Sequence, residues 1–415
     1  MLKSILKNSS YLLIAQFTAK IASFFYAFYL ARQLGVVEFG NYSVALSYFA
    51  VLSSIVDLGV SRYLIREVSK KAVLFSALFV NALVLRLFFS VSLVAGFGVI
   101  LYLTDSDQIR VLLSIIAAFT IIPQSVGLTF DAGLIVKNKF KYSALGILLL
   151  NISTIGIGVL MISQGASAIN ALIAVVLGHI LYMSGVLVML FLSTKDLKNL
   201  KQHFSVKTIS EIVKGSLLYG IMSMLGLIYF KVDTLLLSYL KGPYEAGIYS
   251  AAYRFLEGIV FIPSAFEMAF FPVLSRMHQE SKSLFVLYLK SVGLLLLLSL
   301  PFVVSFWFLV PLLINGYLQE SYSPSIGVIQ ILALAVPFIF ALAAQGALLL
   351  SSEKYLRILL GVSLFNLVFN IIGNVIFIPQ YGFSAAAWMT VLSQTAAFLI
   401  YSGIIYMAFG RRKNG

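Results

Sequence analysis

The chain has 415 residues, of which 61% are hydrophobic and 11% charged, against soluble averages of roughly 45–50% and about 25%. That balance excludes an ordinary soluble protein and leaves no polar stretch long enough to form a soluble domain. The formal charge of +14 raises nucleic acid as a partner, while zero cysteines exclude disulfides, a thiolate nucleophile and a Cys-ligated metal.

Twelve apolar runs, each long enough to cross a hydrocarbon core of roughly 30 Å as a helix, are expected at about 8–31, 41–65, 72–103, 110–136, 143–162, 168–193, 209–240, 245–275, 284–314, 324–351, 356–378 and 383–409. The opening "MLKSILKNSSYLLIAQF" carries Lys3 and Lys7 but has no short apolar core followed by a small-residue cleavage site, so it is read as the first span.

Charge alternates from loop to loop. One side holds Lys3 and Lys7, then Arg62, Arg66, Lys70 and Lys71, then Lys137, Lys139 and Lys141. The linker follows with Lys195, Lys198, Lys201, Lys207 and Lys214, and the same side continues with Arg276, Lys282, Lys354, Arg357 and the tail Arg411, Arg412 and Lys413. The other side holds only Arg32, Arg110 and Lys241. The positive-inside bias therefore places both termini and the linker in the cytoplasm of a multi-pass protein of the cell membrane. Basic clusters beside spans attract anionic lipid headgroups. No basic, aromatic domain stands apart from the membrane, so nucleic acid is not expected as a partner.

The hexapeptides "EFGNYS" (Glu38 to Ser43) and "EAGIYS" (Glu245 to Ser250) share four letters at a shift of 207, and the same shift aligns Lys7 with Lys214. Further along, Lys139, Asn151 and Gly158 match Lys354, Asn366 and Gly373 at a shift of 215, and "GASA" from Gly165 matches "GFSA" from Gly382 at 217. Six spans per copy is an even number, so both copies enter the membrane from the same side. Transporters use such repeats, with the substrate path near the midplane. In each hexapeptide Glu suits a helix N-terminus, Gly permits close backbone approach and Tyr suits the interfacial belt.

The stretch "ARQLGVVEFGNYSVALSYFAVLSSIVDLGVSRYLIREVSK", Ala31 to Lys70, resembles the first loop and second span of Wzx-type polysaccharide flippases, members of the multidrug/oligosaccharidyl-lipid/polysaccharide (MOP) exporter superfamily. The matching letters are Arg32, Leu34, Gly35, Glu38, Gly40, Tyr42, Asp57, Gly59, Arg66 and Glu67, and in the second copy Asp233, Gly247 and Tyr249. The resemblance implies an all-α, MATE-like membrane protein of twelve helices. Its two pseudo-symmetric six-helix lobes would cover 1–200 and 201–415 around a central cavity that faces alternate sides. It implies a polyprenyl-(pyro)phosphate-linked oligosaccharide as cargo, with membrane lipids, a polysaccharide polymerase and glycosyltransferases as candidate partners. A small-molecule, cation-coupled multidrug exporter and a non-transporting assembly or polymerase subunit are the alternatives.

A major-facilitator transporter shares the six-plus-six plan, yet "SRYLIREVSKK" stands where its Gly-rich Asp-Arg motif would be. The short outer loops, the most charged being "LTDSDQIR", offer no nucleophile elbow, phosphate loop or metal-ligand spacing. No catalytic residue, metal or cofactor is expected.

Charged side chains near the bilayer centre cost at least ~2.5–3.5 kcal/mol on insertion scales, so each needs a partner, water or a function. The cations inside spans are Lys20, Arg86, Lys231, Arg254 and Lys290, and the acids are Asp57, Asp131, Asp233, Glu257 and Glu267. Lys20 and Arg254, on spans one and eight at mid-depth, are expected to hold the phosphate, with Arg86 and Lys231 as further substrate-binding candidates. Lys290 lies near the end of its span and can snorkel to headgroups. A structural alternative pairs Arg254 with Glu257 one turn on and Lys20 or Arg86 with an acid on another helix. Asp57, Asp131, Asp233, Glu257 and Glu267 are ion-coupling candidates, and His179 is either a proton relay or a helix-packing group. Pro123, Pro263, Pro301 and Pro337 mark candidate kinks.

Overall fold

A computed structural model describes residues 2–193, 203–279, 284–318, 320–350 and 353–410. The linker lysines Lys195, Lys198 and Lys201, Lys282 and the tail cations Arg411, Arg412 and Lys413 lie outside the described residues. Among the described residues every regular element is a helix. In chain order these are α1 (Leu2–Asp57), α2 (Val60–Lys70), α3 (Phe75–Thr104), α4 (Gln108–Phe119), α5 (Ile121–Val136), α6 (Phe140–Gln164) and α7 (Ala168–Ser193). They continue with α8 (Val206–Lys241), α9 (Pro243–Gln279), α10 (Leu284–Val304), α11 (Val310–Tyr317), α12 (Pro324–Ala333), α13 (Val336–Leu350) and α14 (Glu353–Ile405).

Among the described residues eight helices are long and apolar enough to cross a membrane, or nine if the pair Glu320–Ala333 and Val336–Leu350, bent by 43°, is one span. Two of the eight are too long for one crossing. Ser10–Lys70 has 61 residues and Arg357–Phe409 has 53, about 90 and 80 Å at ~1.5 Å per residue. Each is broken by a glycine in a conformation that side chains resist, Gly35 at φ 71° and Gly382 at φ 55°. Counting each as two crossings, and adding α9 and the bent pair, gives twelve crossings among the described residues, and each expected span falls largely on helix. Glu245, Arg254, Glu257 and Glu267 make α9 more polar than the other spans.

Two of the expected prolines stand at helix starts. Pro123 is the third residue of α5 and Pro337 the second of α13, where a missing N–H costs no helical bond. Pro301 lies inside α10, one turn before a five-residue π-helical segment, Ser305–Leu309.

The chain forms two compact units, Met1–Leu34 with Asn41–Lys231, and Gly35–Gly40 with Val232–Gly415. In the first, Leu58 (φ 39°) and Gly59 (φ 75°) turn the chain sharply out of α1 into α2. Helix α2 then buries Val60, Leu64 and Val68 in an apolar cluster with Phe75, Phe79, Phe130, Leu190 and Ile212. In the second unit, Leu274, Tyr288, Leu348, Val362 and Tyr401 belong to a cluster drawn from α9, α10, α13 and α14.

The repeated hexapeptides meet in the second unit. A Cβ on Gly40 would strike the carbonyl oxygen of Pro243 and the nitrogen of Gly247, and a Cβ on Gly247 would strike the carbonyl oxygen of Val36. Since 36 and 40 become 243 and 247 at a shift of 207, the two contacts are one contact written twice. Glu245 accepts a hydrogen bond from Phe383 N at 2.7 Å, beside the break at Gly382. Thus Glu245 fixes one helix start while Gly40 and Gly247 bring two backbones together.

Candidate functional site

Asp233, on α8, is 3% exposed and is the centre of a buried polar cluster in the second unit. Its Oδ2 accepts from the Tyr249 hydroxyl at 2.7 Å and from Thr390 Oγ1 at 2.8 Å, and its Oδ1 accepts from Asn374 Nδ2 at 2.7 Å. Asn374 Nδ2 also donates to Asn370 Oδ1 at 3.0 Å. Four helical segments supply these groups, so the carboxylate is held from several directions, which removes the choice of geometry that a solvated acid would have.

The cluster also contains unused capacity. Asn374 Oδ1, Asn370 Nδ2 and Asn366 Oδ1 are buried without hydrogen-bond partners, although buried polar atoms are normally satisfied. Asn366, Asn370 and Asn374 stand at i, i+4 and i+8, which places them on one face of α14. Half a turn of the Asn374 amide would exchange its donor for its free oxygen. Carboxylate, hydroxyl and amide oxygens form a hard donor set with a single charge. Such a set suits a proton or a monovalent cation. Among the described residues no three His, Asp or Glu side chains gather to hold a metal ion.

The first unit contains an ion pair of different character. Arg86, on α3, is 1% exposed and pairs with Asp57 at the end of α1. Its other donors reach Ser61 Oγ at 2.7 Å and Thr129 Oγ1 at 3.1 Å. Ser61 in turn donates to Asp57 at 3.2 Å. Arg86 Nε is left buried without a partner. Three of the four groups lie at the Leu58–Gly59 turn or face it, so the pair fixes the chain where its direction changes. This arrangement uses the guanidinium for structure and leaves it little donor capacity for a cargo.

Arg254 Nη1 donates to Glu257 Oε2 at 3.0 Å across one turn of α9, both side chains being about a quarter exposed at 24% and 26%. Partial exposure leaves this guanidinium accessible in a way that Arg86 is not. Lys20 is exposed on α1 and Lys231 is half-buried on α8. Glu267 is half-buried against Gly346 of α13 and makes no ion pair among the described residues. Asp131 lies near Ser143 and Tyr182, with Oδ1 buried and unpartnered. His179 Nδ1 donates to Val175 O at 2.8 Å on its own helix, and its ring meets Phe49 edge-on at 5.6 Å. That geometry assigns His179 to packing.

Sequence reasoning selected Asp233 but missed Tyr249, Asn370, Asn374 and Thr390 as its partners. One signal was present: three Asn at helical spacing in "FNLVFNIIGN", Phe365 to Asn374, an apolar span. Nothing local tied them to Asp233, 141 residues away from Asn374.

Residues 5–278 match the family described as polysaccharide biosynthesis protein. The chain belongs to that family. No curated protein matches this family member in sequence. Among solved structures it is similar to the lipid II flippase MurJ in an inward closed conformation, with a TM-score of 0.78 and 18% identity over 95% of this chain and 87% of that one. It is also similar to an inward-facing multidrug resistance MATE transporter of the MOP superfamily, with a TM-score of 0.73 and 15% identity over 96% of both chains. A MOP superfamily transporter from Pyrococcus furiosus matches at a TM-score of 0.64 and 16% identity over 100% of this chain and 97% of that one. The polysaccharide biosynthesis protein thus has the MOP transporter fold: all-α, multi-pass and MATE-like.

Proposed function

We propose that this protein flips a polyprenyl-(pyro)phosphate-linked oligosaccharide from the cytoplasmic to the outer leaflet of the cell membrane by alternating access, with both termini in the cytoplasm. The observation that carries the reading is the family match of residues 5–278 on a MOP transporter fold. A polysaccharide pathway that assembles its units on a lipid inside the cell needs a membrane-crossing step. The polymerase and glycosyltransferases acting before and after that step are the implied partners.

The phosphate is assigned to Lys20 and to Arg254, whose planar donors suit phosphate oxygens. Lys231 is a further candidate on α8. Arg86 is assigned to positioning through Asp57. Coupling to an ion gradient is assigned first to Asp233, whose donor set is the most complete. Asp131 and Glu267 follow, since Asp57 and Glu257 already balance Arg86 and Arg254.

Deletion of the gene should cause lipid-linked glycan to accumulate facing the cytoplasm, and loss of neither glycan nor orientation would overturn the reading. Replacing both Lys20 and Arg254 by Gln should abolish transport at normal protein abundance, whereas retained transport would remove them from the site. Transport in vesicles with imposed proton, sodium or voltage gradients identifies the coupling ion. Export of an organic cation with no glycan defect would favour the multidrug alternative.

A further inference from the structure

The basic residues of the first unit are gathered at one end by packing. Helix α2 turns its apolar side into the cluster around Phe75, which leaves Arg62, Arg66, Lys70 and Lys71 exposed. Lys137, at the α5–α6 turn, sits 4.4 Å over the ring of Phe75. Tyr63 of α2 packs against Gly215 of α8, which brings Lys214 beside α2, with Lys207 two turns earlier. Asn81 fixes the start of that segment, its side chain donating to His203 O at 2.8 Å and accepting from Ser205 N at 2.9 Å. Three separate elements therefore place cations on one face.

Few acids oppose them. Half-buried Glu67 is engaged by Arg66 at 2.8 Å and by Lys70 at 3.0 Å, and Glu211 is the exposed acid of these segments. Among the cations stand Val73, Val206 and Phe204, exposed by 91%, 71% and 53%. Cations interleaved with exposed apolar side chains, at the ends of spans, match the headgroup and upper-chain region of a bilayer.

Orientation alone does not require this charge in this copy. Both copies enter from the same side, yet at the shift of 207 the residues Arg62, Arg66, Lys70 and Lys71 correspond to Ala269, Val273, Met277 and His278. At the shift of 215, Lys137 and Lys141 correspond to Ser352 and Leu356. The excess on α2 and at the α5–α6 turn belongs to the first copy, where only Lys139 keeps a counterpart, Lys354, and Lys207 and Lys214 of α8 join it by packing. It is also spread over too many elements to serve one diphosphate.

We propose that this end of the first unit is a binding face for anionic phospholipid headgroups of the cytoplasmic leaflet. The face concentrates acidic lipid around α2 and the starts of α6 and α8. It acts through bilayer composition and does not require the glycan cargo.

The test uses the full-length protein in vesicles of phosphatidylethanolamine and phosphatidylglycerol, with spin-labelled phosphatidylglycerol reporting lipid at the protein boundary. The variant R62Q/R66Q/K70Q/K71Q should lose preference for the labelled acidic lipid by about fivefold. The charge-keeping variant R62K/R66K/K70R/K71R should retain it, and labelled phosphatidylcholine should be unaffected in all. A second variant, K207Q/K214Q, tests the face without touching α2 and should lose a smaller part. Equal preference for the acidic lipid in wild type and both Gln variants would overturn the proposal. So would a loss confined to added farnesyl pyrophosphate, which would assign the face to the cargo lipid. The measurement needs no glycan, gradient or flux, so its outcome is separate from that of the transport assays.

Discussion

The two copies of the repeat differ most where the second buries its acid. At the shift of 207, Asp233 corresponds to Tyr26 and Tyr249 to Tyr42. At 215 and 217, Asn370, Asn374 and Thr390 correspond to Ile155, Val159 and Ile173. Tyr249 and Asn366 keep their residue types as Tyr42 and Asn151, while the Asp233 position becomes a phenol and those of Asn370, Asn374 and Thr390 become aliphatic. In the first copy Tyr26 packs with its hydroxyl against Gly158, the equivalent of Gly373. The phenol stands at the sequence position of the Asp233 carboxylate. Polar groups inside a membrane protein are costly to place singly, and a set that changes as a set indicates one task. Of the two copies, the second alone buries a carboxylate at this place.

The largest expected effect breaks that comparison at its centre. Asp233→Asn should reduce gradient-driven flux about 100-fold, equivalent to about 2.7 kcal/mol, the scale of one hydrogen bond to a charged group. Tyr26→Phe should change flux less than about twofold, because its hydroxyl has no hydrogen-bond partner to lose. Equal losses in the two variants would remove the functional distinction between the copies.

Giving the second copy the residues of the first, as N370I/N374V, should weaken dependence on the coupling ion by about tenfold while leaving Asp233 in place. The readout is flux against ion concentration. An unchanged curve would show that the amides only pack.

A third comparison concerns what the copies share. Gly40→Ala and Gly247→Ala each place a Cβ against backbone atoms that cannot rotate away. Each should cost about 1–3 kcal/mol, the range of overpacking, seen as a lower Tm in detergent. The two losses should be alike because the contacts are equivalent. A large inequality would argue against the equivalence.

The smallest effect belongs to a turn of the first copy. Arg110 donates to both oxygens of Asp105 at 2.6 Å, and Asp107 N adds a third bond. The Arg110 hydrogen bonds, helped by that backbone N–H, hold the Asp105 carboxyl below its ordinary value. The unfolded acid has a pKa of about 3.9, so the stabilisation is fully present above that value and is lost as pH falls through the lower folded value. Asp105→Asn should cost at most about 1 kcal/mol at neutral pH. The difference from wild type should vanish in acid.

The fold was legible because its determinants are local. Hydropathy marks the spans, α9 most weakly, and Gly35 and Gly382 interrupt runs too long for one crossing. The Arg254–Glu257 pair was legible too, since three residues on a helix is a contact by geometry alone. The pairing of Arg86 with Asp57 was visible only as a need for some acid, because helix neighbours across a bundle are set by packing. Asn374 and Thr390 were less legible still. A neutral amide or hydroxyl carries no charge whose cost demands explanation, so neither was marked as a site residue in the sequence.

The contact of Gly40 with Pro243 and of Gly247 with Val36 has the form of an isologous interface, in which patch i of one subunit meets patch j of its twin and the reverse. A six-span ancestor that paired with its own copy would contain this contact twice, both written by one glycine codon. Any substitution there would have struck both sides at once. In the single chain the two glycines are separate letters, so position 40 and position 247 can be altered one at a time.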